Sequence, residues 1–277
     1  MNYLFSILLG FVQGLTEFLP VSSSGHLVLF REWFGFEGTY TFGLFFDTLL
    51  HVGTLVSVIF VFWKDIKELF VEFFGLLGDL ITRKKNPLDG KPYRRMIIML
   101  ILATLPMFLI VPFTGIVDRL FESVLPVGIA LLITGTFLFL SSKLPKGKKD
   151  ASNSKFRSAL FVGVIQMFAV MPGISRSGST IVAGEVTGFT RKFAAKFSFL
   201  MSIIAILGAT VVQIPDAMRE NALSGNVGSF LAGMIAAAVS GIFAIKYMLK
   251  LINNGKFHYF AYYCWTIGSI AVISSFF

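Results

Sequence analysis

The chain has 277 residues, of which 55% are hydrophobic and only 14% charged, with 32 Phe and a mean hydropathy of +0.79. Soluble domains carry about 25% charged residues, so this composition excludes a disordered chain, a collagen-like repeat and an ordinary cytosolic enzyme. The net charge of +9 then reflects basic loops at a membrane surface rather than a nucleic-acid partner, and the class that remains is an all-α polytopic membrane protein.

Residues 1–10 are apolar but lack a basic leading region and run into Gln13 and Glu17, so they are expected to belong to the mature chain rather than to a signal peptide. A spanning helix needs roughly 20 mostly apolar residues. About six segments meet that need: 42–63, 96–115, 124–142, 193–214, 227–251 and 259–276. Two further apolar stretches are interrupted. Residues 3–30 are broken by Gly14, Pro20, three serines and Gly25, and residues 158–189 by Pro172, Gly173, Gly178 and Gly188. Such breaks survive at membrane depth only when buried in protein or lining a cavity, so both are expected to be re-entrant helix pairs. The acid-containing stretch 66–82 reads as an interfacial helix. Cys264 is the single cysteine, which rules out an intrachain disulfide.

Charge gives the orientation. Arg83, Lys84, Lys85, Lys91, Arg94 and Arg95 crowd one loop, and Lys143, Lys146, Lys148, Lys149, Lys155 and Arg157 another. These are assigned to the cytoplasm, and the acid-richer connections at 31–37, 118–122 and 216–220 to the outside, which puts both termini outside.

The two interrupted segments match at one offset of 153 positions: Gln13 with Gln166, and Val21-Ser22-Ser23-Ser24-Gly25 with Ile174-Ser175-Arg176-Ser177-Gly178. One enters from outside and the other from the cytoplasm, which is the pattern of an inverted-topology repeat whose broken helices meet near the midplane. The chain therefore reads as a single membrane domain, 1–277, with repeats over about 1–142 and 158–277 joined by the basic cytoplasmic loop 143–157.

With loop charges set aside, the ionisable remainder within the apolar segments is Glu17, His26, Asp47, His51, Arg176 and Glu185, and intramembrane charges are functional candidates by default. Gln13 and Glu17 share a helix face and offer oxygen ligands to a hard cation such as Mg²⁺ or Ca²⁺. Pro20 stops that helix, and the serines after it suit the N-cap of the next, where free N–H groups attract phosphate. His26 follows within a turn as a candidate acid or base. In the second segment, Ser175, Ser177 and Thr180 bring hydroxyls, Gly178 allows close backbone approach, and Arg176 has the fork of donors that matches phosphate. Structural alternatives stand beside these readings. The serines and threonines also suit helix bridging, Arg176 also suits an ion pair with Glu17 or Glu185, and Asp47 and His51 suit support as well as chemistry.

Gln13…Glu17 with Ser22-Ser23-Ser24-Gly25-His26, together with Pro172-Gly173-Ile174-Ser175-Arg176-Ser177-Gly178-Ser179-Thr180, resemble the two motifs of the undecaprenyl-pyrophosphate phosphatase family, the integral-membrane bacitracin-resistance type. The resemblance covers essentially the full chain. Many members carry Glu where this chain has Gln13, an amide that ligates without adding charge. The resemblance implies hydrolysis of the terminal phosphate of undecaprenyl pyrophosphate at the outer face of a bacterial cell membrane, which recycles the lipid carrier for wall synthesis. Catalysis would fall to Glu17, Ser22 or Ser23, His26 and Arg176, and phosphate binding to Ser24, Gly25, Ser175, Arg176, Ser177, Gly178 and Thr180. Gln13 and Glu17 would hold the divalent cation. The implied partners are a polyprenyl pyrophosphate lipid and the bilayer; the sequence leaves open whether a second copy joins the chain in a homodimer. The alternative from another class is a transporter or flippase for an anionic polyprenyl lipid.

Overall fold

The computed structural model describes residues 2–34, 40–113, 115, 117, 120, 123–219, 227–253 and 256–276. Glu37, Asp118, Arg119, Glu122 and Glu220, which mark the outer connections, lie outside the described residues, as does Asn221.

Among the described residues the chain is all helical, with one isolated parallel bridge between Lys149 and Phe189. The helices are α1 (Tyr3–Phe18), α2 (Ser23–Trp33), α3 (Tyr40–Val61), α4 (Trp63–Ile81), α5 (Pro92–Thr104, continued by 3₁₀ turns to Phe113), α6 (Val124–Ser142), α7 (Phe156–Phe168), α8 (Arg176–Val186), α9 (Arg191–Arg219), α10 (Val227–Asn253) and α11 (Tyr259–Ser274). Among the described residues four helices are long and apolar enough to cross a membrane: Pro92–Phe113, Val124–Ser142, Arg191–Val212 and Val227–Ile252. A fifth is reached if the bent pair α3–α4 counts as one span. The 16 residues of α11 span about 24 Å at 1.5 Å per residue, short of a hydrocarbon core about 30 Å thick.

Both interrupted segments fold as helix–turn–helix pairs, α1–α2 and α7–α8, and both second helices start in the same way. Ser22 Oγ accepts from Gly25 N at 3.3 Å, and Ser175 Oγ accepts from Gly178 N at 3.1 Å. The next serine but one lies beside each cap, Ser24 at 3.4 Å from Ser22 and Ser177 at 3.3 Å from Ser175. An N-cap oxygen satisfies a backbone N–H that has no partner within the helix. The serines at matched positions therefore do matched local work.

The pairs are held by helices that approach closely at small residues. α1 lies against α10, where a methyl at Gly10 would meet the Gly233 carbonyl oxygen at 2.1 Å and one at Gly14 would meet Ser240 Oγ at 2.0 Å. α6 packs on α11, α5 on α7, and α9 on α3 and α8. The main core gathers Phe18, Phe62, Met99, Phe189, Phe197 and Phe199. It holds the C-terminal end of α1 through Phe18, with Leu15 packed against it.

α3 and α4 meet at an 85° bend at Phe62. Two polar ties hold α4 in place. Asp65 accepts from Tyr93 at 2.9 Å and Lys196 at 2.7 Å, while Arg94 donates to Glu72 at 2.6 Å and Asp79 at 2.5 Å. Arg94, counted with the loop charges in the sequence, is buried. Sequence position alone hid this, because the two acids that neutralise it come from the preceding helix.

Candidate active site

The tips of the two helix pairs meet. Gly25 lies against Gly173, with an ideal methyl only 3.0 Å from its Cα, and Gly178 lies against Pro20, with a methyl 3.1 Å from its Cβ. Gly173 takes φ +88, a conformation that favours glycine. Thr134 on α6 braces that tip by donating to the Gly173 carbonyl at 3.0 Å and accepting from Ser175 N at 3.1 Å. Ser177 Oγ donates to the Leu19 carbonyl at 3.3 Å, across from one tip to the other.

Where the tips meet, one carboxylate collects four donors. Glu17, at the C-terminal end of α1, has a side chain only 2% exposed. Its Oε1 is ion-paired with the Arg176 guanidinium from the first turn of α8. Its Oε2 accepts from Ser23 Oγ at 2.6 Å and Gln13 Nε2 at 2.8 Å, and lies 3.3 Å from His51 Nε2. Burying a charge is costly unless it is paired and hydrogen-bonded, and here both oxygens of the carboxylate are met, Oε1 by Arg176 and Oε2 by Ser23, Gln13 and His51. Glu17, Ser23 and Arg176 come from three helices, and Arg176 comes from the other half of the chain. The ion-pair reading of Arg176 is the arrangement seen, with Glu17 and not Glu185 as its partner; Glu185 lies 3.4 Å from Arg191.

The remaining sequence candidates sit around this cluster with other partners. His26 Nδ1 lies 2.7 Å from the Ser22 carbonyl oxygen, and its Nε2 lies 2.8 Å from Tyr263 Oη. The geometry joins Ser23 to Glu17 and not to His26. Thr180 Oγ1 is spent on the Arg176 carbonyl at 2.8 Å and on the buried Ser198 Oγ at 2.7 Å. His51 is placed by its Nδ1, 2.7 Å from the Asp47 carbonyl, and the Asp47 carboxylate is in turn gripped by both terminal nitrogens of Arg31. Two participants carried no local motif. Tyr263 reads in sequence as one of several aromatic residues in an apolar helix, and Thr134 as one hydroxyl in a span. Their partners are 237 and about 40 positions away.

The cation expectation can be tested on the donors. No group of three His, Cys, Asp or Glu gathers among the described residues. Gln13 Oε1 is buried without a hydrogen-bond partner. Turning that amide over would set its oxygen beside the Glu17 carboxylate. One carboxylate and one amide oxygen suit Mg²⁺, which binds through one or two carboxylates plus substrate phosphates and keeps its waters. The pair fits a cation that arrives with a phosphate ligand.

Residues 6–270 match the model of the family described as Bacitracin resistance protein BacA. The chain is 44% identical over 271 residues to the undecaprenyl-diphosphatase of Alkaliphilus metalliredigens, covering 98% of each chain. It is 42% identical over 278 residues to the undecaprenyl-diphosphatase of Methanobrevibacter smithii, covering 99% of this chain and 98% of the relative. It is 36% identical over 273 residues to undecaprenyl-diphosphatase 4 of Bacillus thuringiensis, covering 98% and 97%.

Proposed function

Because this chain belongs to the bacitracin resistance protein BacA family, we propose that it is the integral-membrane hydrolase that converts undecaprenyl pyrophosphate and water to undecaprenyl phosphate and inorganic phosphate. The product is the carrier used for wall polymers, and consuming the pyrophosphate form accounts for bacitracin resistance. The observation that carries the reading at the level of chemistry is the hydrogen bond of 2.6 Å from Ser23 Oγ to Glu17 Oε2, beside the Arg176 guanidinium. A hydroxyl poised on a carboxylate, with a forked cation next to it, is a phosphoryl-transfer arrangement.

The substrate reorders one bond. A diphosphate competes with Glu17 for Arg176, whose planar fork takes two phosphate oxygens at once. The capped N-termini of α2 and α8 add backbone N–H groups to the same anion. As Arg176 turns to the phosphate, Glu17 loses its strongest partner and becomes the acceptor for the Ser23 proton. Ser23 Oγ then attacks the terminal phosphorus, the anhydride bond breaks, and undecaprenyl phosphate leaves. Water attacks the phosphoserine, returns a proton to Oγ and releases inorganic phosphate. Phosphoryl transfer needs little beyond such positioning and charge stabilisation. A divalent cation, held by Glu17 and Gln13 Oε1, would add the positive charge that the diphosphate needs beyond one guanidinium. The basic loops around Lys85 and Lys148, read as cytoplasmic, support a site open to the outer face of the cell membrane.

The test is inorganic phosphate release from undecaprenyl pyrophosphate by the purified protein in detergent, with and without chelator. In micelles no gradient exists, so release supports hydrolysis, and dependence on added Mg²⁺ or Ca²⁺ supports the cation. No release in detergent, together with lipid movement in vesicles, would instead make the chain a transporter.

A further inference from the structure

The first helix pair turns through a residue in an unfavoured conformation. Ser22 has φ 67 and ψ 96, on the positive side where residues other than glycine are uncommon. Ser22 sits next to Ser23, so whatever holds Ser22 also aims the hydroxyl that meets Glu17.

Four hydrogen bonds hold it: two come from His26, one from Gly25 N, and one is shared with Ser24 Oγ at 3.4 Å. The Ser22 carbonyl accepts from His26 N at 3.2 Å and is met by His26 Nδ1 at 2.7 Å, while Ser22 Oγ caps Gly25 N. A carbonyl oxygen can only accept, so His26 must carry a proton on Nδ1. In the neutral ring Nε2 is then the acceptor, and Tyr263 Oη, 2.8 Å away, donates to it. The two rings lie nearly parallel, at 8° with centroids 5.6 Å apart. The neighbouring residue on α11, Cys264, brings its thiol to 3.7 Å from the Pro20 carbonyl of the same turn. Thus α11, near the end of the chain, closes on the first tip through two adjacent side chains.

We propose that Tyr263 is a positioning residue of this site: its hydroxyl fixes His26 with the proton on Nδ1, and His26 in turn holds the Ser22 turn that presents Ser23 to Glu17. The inference rests on the phosphatase reading above. It assigns His26 a supporting part, because the ring nitrogens are engaged by Ser22 and Tyr263 and neither meets Ser23. The hydroxyl of Tyr263 is its operative group, since the ring alone would leave Nε2 bare.

The experiment uses the full chain in detergent with ¹⁵N-labelled histidine, the His26 signals being those lost in His26→Asn. In the wild-type protein the proton is expected on Nδ1, with Nε2 showing the resonance of a hydrogen-bonded acceptor. In Tyr263→Phe the Nε2 resonance should move to that of an imidazole nitrogen without a partner. Phosphate release should show kcat about tenfold lower, the scale of one lost hydrogen bond, with KM changed by less than about twofold. Tyr262→Phe, which alters an exposed hydroxyl on the same helix, should leave both readouts at wild-type values. A wild-type His26 protonated on Nε2 overturns the proposal without any variant. So does an unmoved Nε2 resonance, or wild-type kcat, in a folded Tyr263→Phe protein. Wild-type protein that releases no phosphate would overturn the phosphatase reading instead, and the resonances would still decide whether Tyr263 fixes His26.

Discussion

Replacing Glu17 with Gln keeps the shape of the side chain but takes away the charge on which four donors converge. The amide has one acceptor oxygen and one NH₂ group. Whichever way it turns, either Arg176 or the Gln13 and His51 pair faces a donor instead of an acceptor. Removing one partner of a buried ion pair costs about 3–5 kcal/mol when the charge left behind is sealed in. The Arg176 side chain is 23% exposed, so water recovers part of this, and a loss of about 2–3 kcal/mol of stability is expected. Catalysis should suffer more. Without a proton acceptor for Ser23, kcat should fall by about 10²–10⁴-fold. KM should not rise, because Arg176 no longer has to leave Glu17 to reach the phosphate. The assay is steady-state phosphate release with purified protein, alongside a melting curve in the same detergent. Turnover within a few-fold of wild type together with a raised KM would refute this reasoning, since it would make Glu17 a group that only helps to bind.

Further outcomes follow from other parts of the site and its supports. Ser23→Ala should abolish turnover while leaving substrate binding nearly intact by equilibrium binding, because Arg176 and the helix N-termini hold the diphosphate; substantial turnover would point to direct attack by water. Arg176→Lys should lose most activity although the charge remains, since an ammonium cannot replace the bidentate fork; near wild-type rates would leave Arg176 as a structural partner of Glu17. Gly14→Val would drive a side chain into Ser240 Oγ and the Ala237 carbonyl, 2.0 and 2.4 Å from an ideal Cβ, and should lower stability by about 1–3 kcal/mol and shift the turn bearing Glu17. Gly78→Ala, with nothing within 4 Å, should leave the melting temperature unchanged or slightly higher. For topology, single cysteines at Asn86, Asn153 and Asn221 in a Cys264→Ala background should react with an impermeant reagent in intact cells only at Asn221.

Much of this arrangement is legible in the sequence because it is local. Pro20 and the serine runs mark where α1 and α7 stop and where α2 and α8 start, and the matched caps at Ser22 and Ser175 follow from spacing alone. Gln13 and Glu17 meet because they are four residues apart on one helix. Other features depend on which helices pack together, which no local pattern encodes. The turn of His26 toward Ser22 and Tyr263, the spending of Thr180 on Ser198, and the bracing of the second tip by Thr134 are all of this kind. Arg94 shows the same limit in reverse. Its basic neighbours in sequence suggested a solvated loop, while Glu72 and Asp79, folded back by the bend at Phe62, made it a buried anchor.

The most direct measurement is the product balance of the purified wild-type chain and of Ser23→Ala on undecaprenyl pyrophosphate in detergent. The account predicts undecaprenyl phosphate and inorganic phosphate in equal amounts from the wild type, and neither from Ser23→Ala. Release of pyrophosphate with free polyprenol, or no release of either phosphate from the folded wild-type protein, would contradict it.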